Sequence, residues 1–368
     1  MKKFQINFKF LIPAIIVCVI TSCSSGAKNS LLNEKEQLGK LIFFDKNLSE
    51  PKGQSCATCH APERGFADED SRMVSEGAVK GLFANRNSIT AAYSAYVPPL
   101  TYDEEADEYT GGLFWDGRAN TLEEQAKMPF TNPLEMGNAD GKMVVEKVKK
   151  AKYYKAFKKI YGDLEDPDLI FDAIADAIAA YERSVEVNPF SSKYDAWLEG
   201  KYQFTEDEAR GMDLFINKGL CAECHVVTPD PIANRILFTD HTYDNLGIPI
   251  NPDNPFYTIP QIHNPDGRNA IDLGLGAIVN SEKENGKFRV PTLRNIEFTA
   301  PYGHNGFFKT LEEIVRFYNV RDVSSEFPPA EYVENMNTDE MGDLQLTPEE
   351  ESLIVTFMKT LSDGYYTR

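Results

Sequence analysis

Two five-residue segments hold the side chains of this sequence with the most specific chemistry. They are Cys56-Ala57-Thr58-Cys59-His60 and Cys221-Ala222-Glu223-Cys224-His225, and both have the form C-x-x-C-H. Two thiols at this spacing can add to the two vinyl groups of one haem, and the adjoining histidine then lies under the iron as its axial ligand. The two copies therefore predict two covalently bound c-type haems and a redox protein.

Two other uses of paired cysteines fit less well. A structural zinc site brings two C-x-x-C elements within roughly 15–20 residues of each other, whereas Cys56 and Cys221 lie in different halves of the chain. A thioredoxin-like site needs one C-x-x-C beside a βαβ pattern, and the sequence has no such pattern.

The first 22 residues are predicted to be a signal segment. A basic start precedes a short apolar run, Phe10–Ile20, and Ile20-Thr21-Ser22-Cys23 resembles a bacterial lipoprotein cleavage box. That resemblance implies lipidation of Cys23; the alternative is an ordinary signal peptide cut nearby. Either way the chain is exported, and we expect a periplasmic protein held at the membrane only by a lipid on Cys23.

The chain is strongly acidic, with 57 Asp and Glu against 38 Lys and Arg and a formal net charge of -19. Such a charge argues against nucleic acid as a partner. It suits a basic electron-donor protein, because opposite charge accelerates encounter. Acidity that only keeps the protein soluble explains the composition equally well.

Apolar periodicity predicts a mainly α protein with long loops and no β-sheet. A helix is predicted before each motif, at Asn33–Phe44 and from a capping box at Thr205 and Glu208. This repetition predicts two tandem cytochrome c-like haem domains, 23–190 and 191–368, with the last helix free to pack on the first. The other predicted helices are Thr121–Lys127, Lys142–Tyr161, Leu169–Val185, Thr310–Tyr318 and Thr347–Leu361. His241 and His263 fall in predicted loops and are expected at the surface.

Three further segments carry a family resemblance. Leu38-Gly39-Lys40 with Phe43-Phe44-Asp45, Phe114-Trp115-Asp116-Gly117-Arg118 and Pro291-Thr292-Leu293-Arg294-Asn295 resemble the bacterial dihaem cytochrome c peroxidases, including their MauG-like branch. The resemblance covers about Leu38 to Leu361. It implies that His60 is the proximal ligand of a peroxidatic haem and His225 that of an electron-transfer haem.

The same resemblance implies the catalytic groups. Trp115 matches the tryptophan between the two haems, Gln125 and Glu135 match the polar pair above the peroxidatic iron, and Pro129 matches a proline of that pocket. Bound peroxide must move a proton from its inner to its outer oxygen before the O–O bond breaks, and a nearby carboxylate can transfer it. Glu135 is thus the expected general acid–base and Gln125 orients the bound oxygen.

The sequence departs from the common family pattern at two places. Many members have a histidine that blocks the peroxidatic iron until reduction, but none occurs here between His60 and His225, so an open site is expected. The position of the usual methionine ligand of the second haem falls on Tyr318. Met341 and Met336 remain alternatives to Tyr318. A methionine would raise the haem potential, whereas a tyrosinate should lower it.

The resemblance also suggests a calcium site formed by the Asn87 side chain and the carbonyls of Thr299 and Pro301, since calcium prefers oxygen ligands. It places His304 near the second haem. Dimers are common in the family, so the resemblance allows a homodimer.

Three functions follow from these features. The first is a periplasmic peroxidase that reduces hydrogen peroxide to water with electrons from a small c-type cytochrome or cupredoxin. The second is a MauG-like oxidase that modifies side chains of a partner protein. Against it, MauG has a surface tryptophan just before its second motif, where this chain has Gly219-Leu220. The third is a non-enzymatic electron carrier, which needs neither an open iron nor Glu135.

Overall fold

A computed structural model of the chain describes residues 31–365. The predicted signal segment, its cleavage box and Cys23 lie outside this range. From Leu32 onward the described chain forms one compact unit. The predicted boundary near residue 190 therefore lies inside that unit, and the division into 23–190 and 191–368 stays a prediction.

Helices provide most of the regular structure, as predicted. Within residues 31–365 they are α1 (Glu34–Phe43), α2 (Cys56–Cys59), α3 (Leu122–Thr131), α4 (Gly141–Lys149), α5 (Tyr154–Tyr161), α6 (Pro167–Glu182), α7 (Lys193–Leu198), α8 (Glu206–Ile216), α9 (Leu275–Val279), α10 (Leu311–Val320) and α11 (Pro348–Lys359). Among these described helices, none is both long enough and apolar enough to cross a membrane.

Two short antiparallel ladders correct the prediction that no sheet forms. Strands β1 (Thr101–Asp103) and β2 (Glu108–Thr110) form a hairpin, and β3 (Tyr243–Asp244) pairs with β4 (Phe288–Arg289). Strands of two or three residues are too short to produce an alternating pattern, which explains why sequence periodicity missed them.

Two helix predictions were wrong in extent. The predicted helix 142–161 is two helices, because α4 packs on α6 whereas α5 packs on α1. Helix α3 continues past its predicted end and contains Pro129. Its start has half of a capping box: the Thr121 hydroxyl accepts from the Glu124 N–H, but the Glu124 carboxylate accepts from the N–H of Asn120 and not from that of Thr121.

The helix before each motif crosses a later helix at a glycine. A Cβ on Gly39 of α1 would lie 1.8 Å from the carbonyl oxygen of Ala177 on α6. A Cβ on Gly211 of α8 would lie 2.0 Å from that of Leu353 on α11. Only glycine permits such an approach, so the two halves of the chain use the same backbone contact to position the segments that follow.

Two apolar clusters surround these crossings. The first joins α1, α3, α4, α5 and α6 and includes Phe43 and Ile174. The second joins α8, α10 and α11 and includes Phe215 and Phe357. The last helix therefore packs in the second cluster, and residues beyond it reach the first half through Asp363, which accepts from the Tyr93 hydroxyl.

A buried ion pair joins α7, which lies between α6 and α8 in the sequence, to Arg294 near the end of the long loop region. Arg294 donates to both carboxylate oxygens of Asp195 on α7, at 2.9 and 3.0 Å, and to the carbonyl of Ile236 at 2.7 Å. The Arg294 side chain is 0% exposed and that of Asp195 is 3% exposed. Removing one partner would leave a buried charge without compensation.

We expect Asp195→Asn to lower the free energy of unfolding by roughly 3–5 kcal/mol, because Arg294 keeps its charge in a dry environment. The matched control is Glu123→Gln, which removes the exposed pair with Arg183 and should cost less than about 1 kcal/mol. Urea denaturation of the holoproteins followed by circular dichroism measures both. Equal losses for the two variants would contradict this assignment.

Candidate functional site

The first motif holds its histidine in an orientation and a protonation state that suit metal binding. The N–H of His60 donates to the carbonyl of Cys56 at 2.9 Å, which closes a single helical turn over the motif. The Nδ1 atom of His60 lies 3.2 Å from the carbonyl oxygen of Phe66. A carbonyl only accepts, so Nδ1 carries the proton and Nε2 remains free as a ligand. Burial lowers the pKa of His60 and keeps the ring neutral.

The second motif repeats this arrangement. The N–H of His225 donates to the carbonyl of Cys221 at 2.8 Å, and Nδ1 of His225 lies 2.8 Å from the carbonyl oxygen of Phe238. Burial lowers the pKa of His225 to about 4. Both imidazoles are therefore neutral and oriented by a backbone acceptor, as ligands of a haem iron require.

A cavity adjoins the first motif. It is bordered by the three motif residues and by all four residues that the resemblance assigns to the peroxidatic pocket: Cys56, Cys59, His60, Trp115, Gln125, Pro129 and Glu135. Pro129 has no N–H to donate to the carbonyl of Gln125 one turn earlier. The structure thus brings together residues that span about eighty positions of sequence.

The backbone of Glu135 is held by hydrogen bonds at both its N–H and its carbonyl. Its N–H donates to the carbonyl of Asn132 at 3.1 Å, and its carbonyl accepts from Ala78 at 2.6 Å. Burial raises the pKa of the Glu135 carboxyl, and the positive charge of Arg118 opposes that rise. A carboxyl with a raised pKa keeps its proton to a higher pH than an exposed glutamate does, which suits a group that must donate and take back a proton.

A second carboxyl in the cavity, Glu182, was missed by the sequence analysis. It is 5% exposed, and its Oε2 atom is buried without a hydrogen-bond partner among the described residues. Burial raises its pKa to about 8. The available signal was its spacing, because Glu182 follows Ile174 and Ile178 at intervals of four on the buried face of α6.

A second, larger cavity adjoins Cys221, Cys224 and His225. Both Tyr318 and Met341 border it. The N–H of Gly342 donates to the carbonyl of Tyr318 at 2.6 Å, which brings the two candidates together. Burial raises the pKa of the Tyr318 phenol.

Met336 is not among the residues that border this second cavity. Its sulfur lies against Gly247, where an added Cβ would come within 2.2 Å of it. The geometry therefore favours Tyr318 and Met341 over Met336 as candidates for the second axial ligand.

The proposed calcium ligands also border the second cavity. Asn87, Thr299 and Pro301 all contribute to its lining. The Asn87 side chain donates from Nδ2 to the carbonyl of Met73 at 3.1 Å, which leaves its Oδ1 oxygen as the atom that would face a cation. None of the three residues has a carboxylate, and the calcium site stays a prediction.

The remaining histidines fall in different environments. His304 borders the second cavity, stacked on Phe288 with ring centroids 3.7 Å apart. His241 corrects the surface expectation: it is 5% exposed, and its Nε2 lies 3.3 Å from Asp230. The loop around it is covered by the protein, and loop prediction carries no information on burial. His263 is partly exposed.

One wall separates the two cavities. Six residues border both of them: Asn87, Ser88, Ile89, Thr90, Trp115 and Arg289. The indole Nε1 of Trp115 donates to the carbonyl of Asn87 at 2.9 Å. The carbonyl of Trp115 accepts from the N–H of Arg289 at 2.8 Å. Trp115 is therefore fixed between the two motif cavities.

The burial of Glu182 predicts a pH-dependent stability. Folded Glu182 keeps its proton up to about pH 8, against an ordinary pKa of 4.5, with Arg183 opposing and Glu123 adding to the rise. The folded state binds the extra proton between these values, so the free energy of unfolding falls as pH rises through this window. Glu182→Gln should gain roughly 1–3 kcal/mol over the parent at pH 8 and nothing at pH 4. Urea titrations at both pH values measure this, and parallel pH profiles would contradict it.

Comparison with known proteins agrees with this geometry. The family model described as "Di-haem cytochrome c peroxidase" matches residues 33–203. The methylamine utilization protein MauG of Paracoccus denitrificans is 35% identical over 352 residues, which cover 89% of this chain and 88% of that protein. The cytochrome-c peroxidase IdrP1 of Denitromonas iodatirespirans is 32% identical and covers 91% of this chain and 83% of that protein.

A solved structure of a dihaem peroxidase also matches most of this chain. The diheme peroxidase BthA of Burkholderia thailandensis superposes with a TM-score of 0.78 at 32% identity, covering 90% of this chain and 86% of that one. The neutral histidines and the paired cavities of the present structure fit two c-type haems. The chain belongs to the di-haem cytochrome c peroxidase family, within its MauG-like superfamily.

Proposed function

We propose that this protein is a periplasmic dihaem peroxidase, in which one hydrogen peroxide, two protons and two electrons give two molecules of water. The observation that carries the proposal is the first cavity. The carboxyl of the half-buried Glu135 and the amide of Gln125 share it with an attachment motif. A second motif lies behind the wall that contains Trp115.

The motif residues hold the cofactors in this proposal. Cys56 and Cys59 attach the first haem and Cys221 and Cys224 the second, with His60 and His225 as proximal ligands. When bound, the haems supply the redox chemistry that cleaves the O–O bond and takes up electrons. Glu135 transfers a proton to the oxygen that leaves as water, and Gln125 orients the peroxide by hydrogen bonding.

The wall and the surface charge suit electron delivery. Trp115 contributes to both cavities and is held by two hydrogen bonds, which suits a group on the route between them. We infer a small basic c-type cytochrome or cupredoxin as donor, since the chain carries a net charge of -19. Lipidation at Cys23 would keep the enzyme in the periplasm near the membrane.

No activation step is expected at the first haem. The sequence contains no histidine between His60 and His225 that could block the iron. The as-isolated protein should therefore react with peroxide without prior reduction.

A MauG-like oxidase is the second candidate, favoured by the relative of 35% identity and by Tyr318 at the usual methionine position. One assay distinguishes the two. The as-isolated protein is mixed with peroxide and a reduced c-type cytochrome. Rapid donor oxidation supports the peroxidase, slow turnover with a long-lived optical change supports the oxidase, and no reaction contradicts both.

Glu135→Gln should lower kcat for peroxide reduction by about 10²- to 10⁴-fold, because it removes the proton-transfer group and preserves shape. The matched control is Glu104→Gln, at an exposed position of the turn between β1 and β2, and it should leave kcat unchanged. Both variants must retain two haems per chain in a pyridine haemochrome assay. A fully active Glu135→Gln would remove Glu135 from the mechanism.

Tyr318→Phe and Met341→Leu identify the second axial ligand. If Tyr318 is the ligand, Tyr318→Phe alone should change the electron paramagnetic resonance spectrum of the second ferric haem. Met341→Leu should then leave the spectrum as it is. The reverse pattern would transfer the ligand role to Met341.

A further inference from the structure

Arg289 is a buried cation that has no anionic partner among the described residues. It is 4% exposed, and its Nε donates to the carbonyl of Phe114 at 3.2 Å. A weaker bond of 3.5 Å joins Nη1 to the carbonyl of Val290. Within residues 31–365 no carboxylate forms an ion pair with this guanidinium. Arginine stays charged in proteins, so this burial leaves a full positive charge poorly compensated.

The other well-covered guanidiniums differ from Arg289. Among described arginines, three more have side chains at most 13% exposed, and each has a carboxylate partner: Arg86 with Asp116 and Asp272, Arg294 with Asp195, and Arg321 with Asp322. The chain therefore compensates its buried arginines as a rule. The exception suggests that the anion of Arg289 comes from outside the polypeptide.

Strand β4 directs this cation to the wall. Neighbouring side chains of a strand point to opposite faces. Phe288 stacks on His304 and borders the second cavity but not the first, whereas Arg289 borders both motif cavities. The backbone N–H of Arg289 donates to the carbonyl of Trp115, and its Nε donates to the carbonyl of Phe114. The charge therefore lies beside the residue that separates the two cavities.

We propose that Arg289 is the shared counter-ion for propionate carboxylates of both haems, an inference that rests on the proposed function. A c-type haem carries two propionates, and a guanidinium pairs with carboxylates through several parallel N–H bonds. Most of the N–H groups of Arg289 donate to no protein atom in the described chain. One cation between two haems stabilises the reduced, less positive form of each and raises both reduction potentials.

The test removes the charge in the full holoprotein. Arg289→Met should retain two haems by pyridine haemochrome assay, and both haems should become harder to reduce. The expected change is at least tenfold in each reduction equilibrium constant, about 59 mV for one electron, measured by spectroelectrochemical titration. Arg289→Lys keeps the charge and should stay within threefold of the parent. Arg210→Met, at an exposed position, is the matched control and should leave both potentials unchanged.

Several results would overturn the assignment. They are unchanged potentials in Arg289→Met with both haems present, a change at one haem only, or a change in Arg289→Lys as large as in Arg289→Met. If Arg289→Met fails to fold, resonance Raman spectra of Arg289→Lys decide: the propionate bending bands should shift, and unshifted bands would refute the pairing. A parent protein with fewer than two haems would instead refute the proposed function.

Discussion

The arrangement of this molecule depends on how Trp115 is held. Its indole donates to the carbonyl of Asn87, and its own carbonyl accepts from Arg289. These bonds join a loop of the first half to a strand of the second. Because residues at both ends of this connection border both cavities, the two motif sites share one wall. A change at either end would alter both sites together.

On either side of this wall, the two halves of the chain orient their motif histidines, His60 and His225, in the same way. In each, a glycine lets the preceding helix touch the backbone of a later helix, and a carbonyl then orients the imidazole through Nδ1. Because folding already orders these loops, the entropy cost of ordering them does not fall on cofactor binding. The ligand geometry is then set before a cofactor binds. The buried pair Arg294–Asp195 and the partly buried pair Arg86–Asp272 fix the loops between the helices.

The features that could be predicted from the sequence are mainly those that depend on residues close together in the chain. The attachment motifs were recognisable because covalent spacing is a property of five consecutive residues. Most helices followed from periodicity, and Gln125 and Glu135 followed from resemblance to a family. Glu182 and Arg289 were not found, because a charged residue becomes unusual only when the fold buries it. The same reason explains His241, whose loop is covered by distant segments. The break between α4 and α5 depends on two different packing partners, which no local pattern encodes.

The glycine crossings have a consequence for electron transfer. At Gly39 and Gly211 the helices meet through backbone atoms, with no side chain between them that could deform. A displacement of one helix must then displace its partner as well, since close-packed protein interiors transmit strain. The segments that follow inherit this stiffness. In the proposed function, this stiffness would limit the movement of atoms around each haem between its oxidised and reduced states, and a low reorganisation energy favours rapid exchange of electrons at a small driving force.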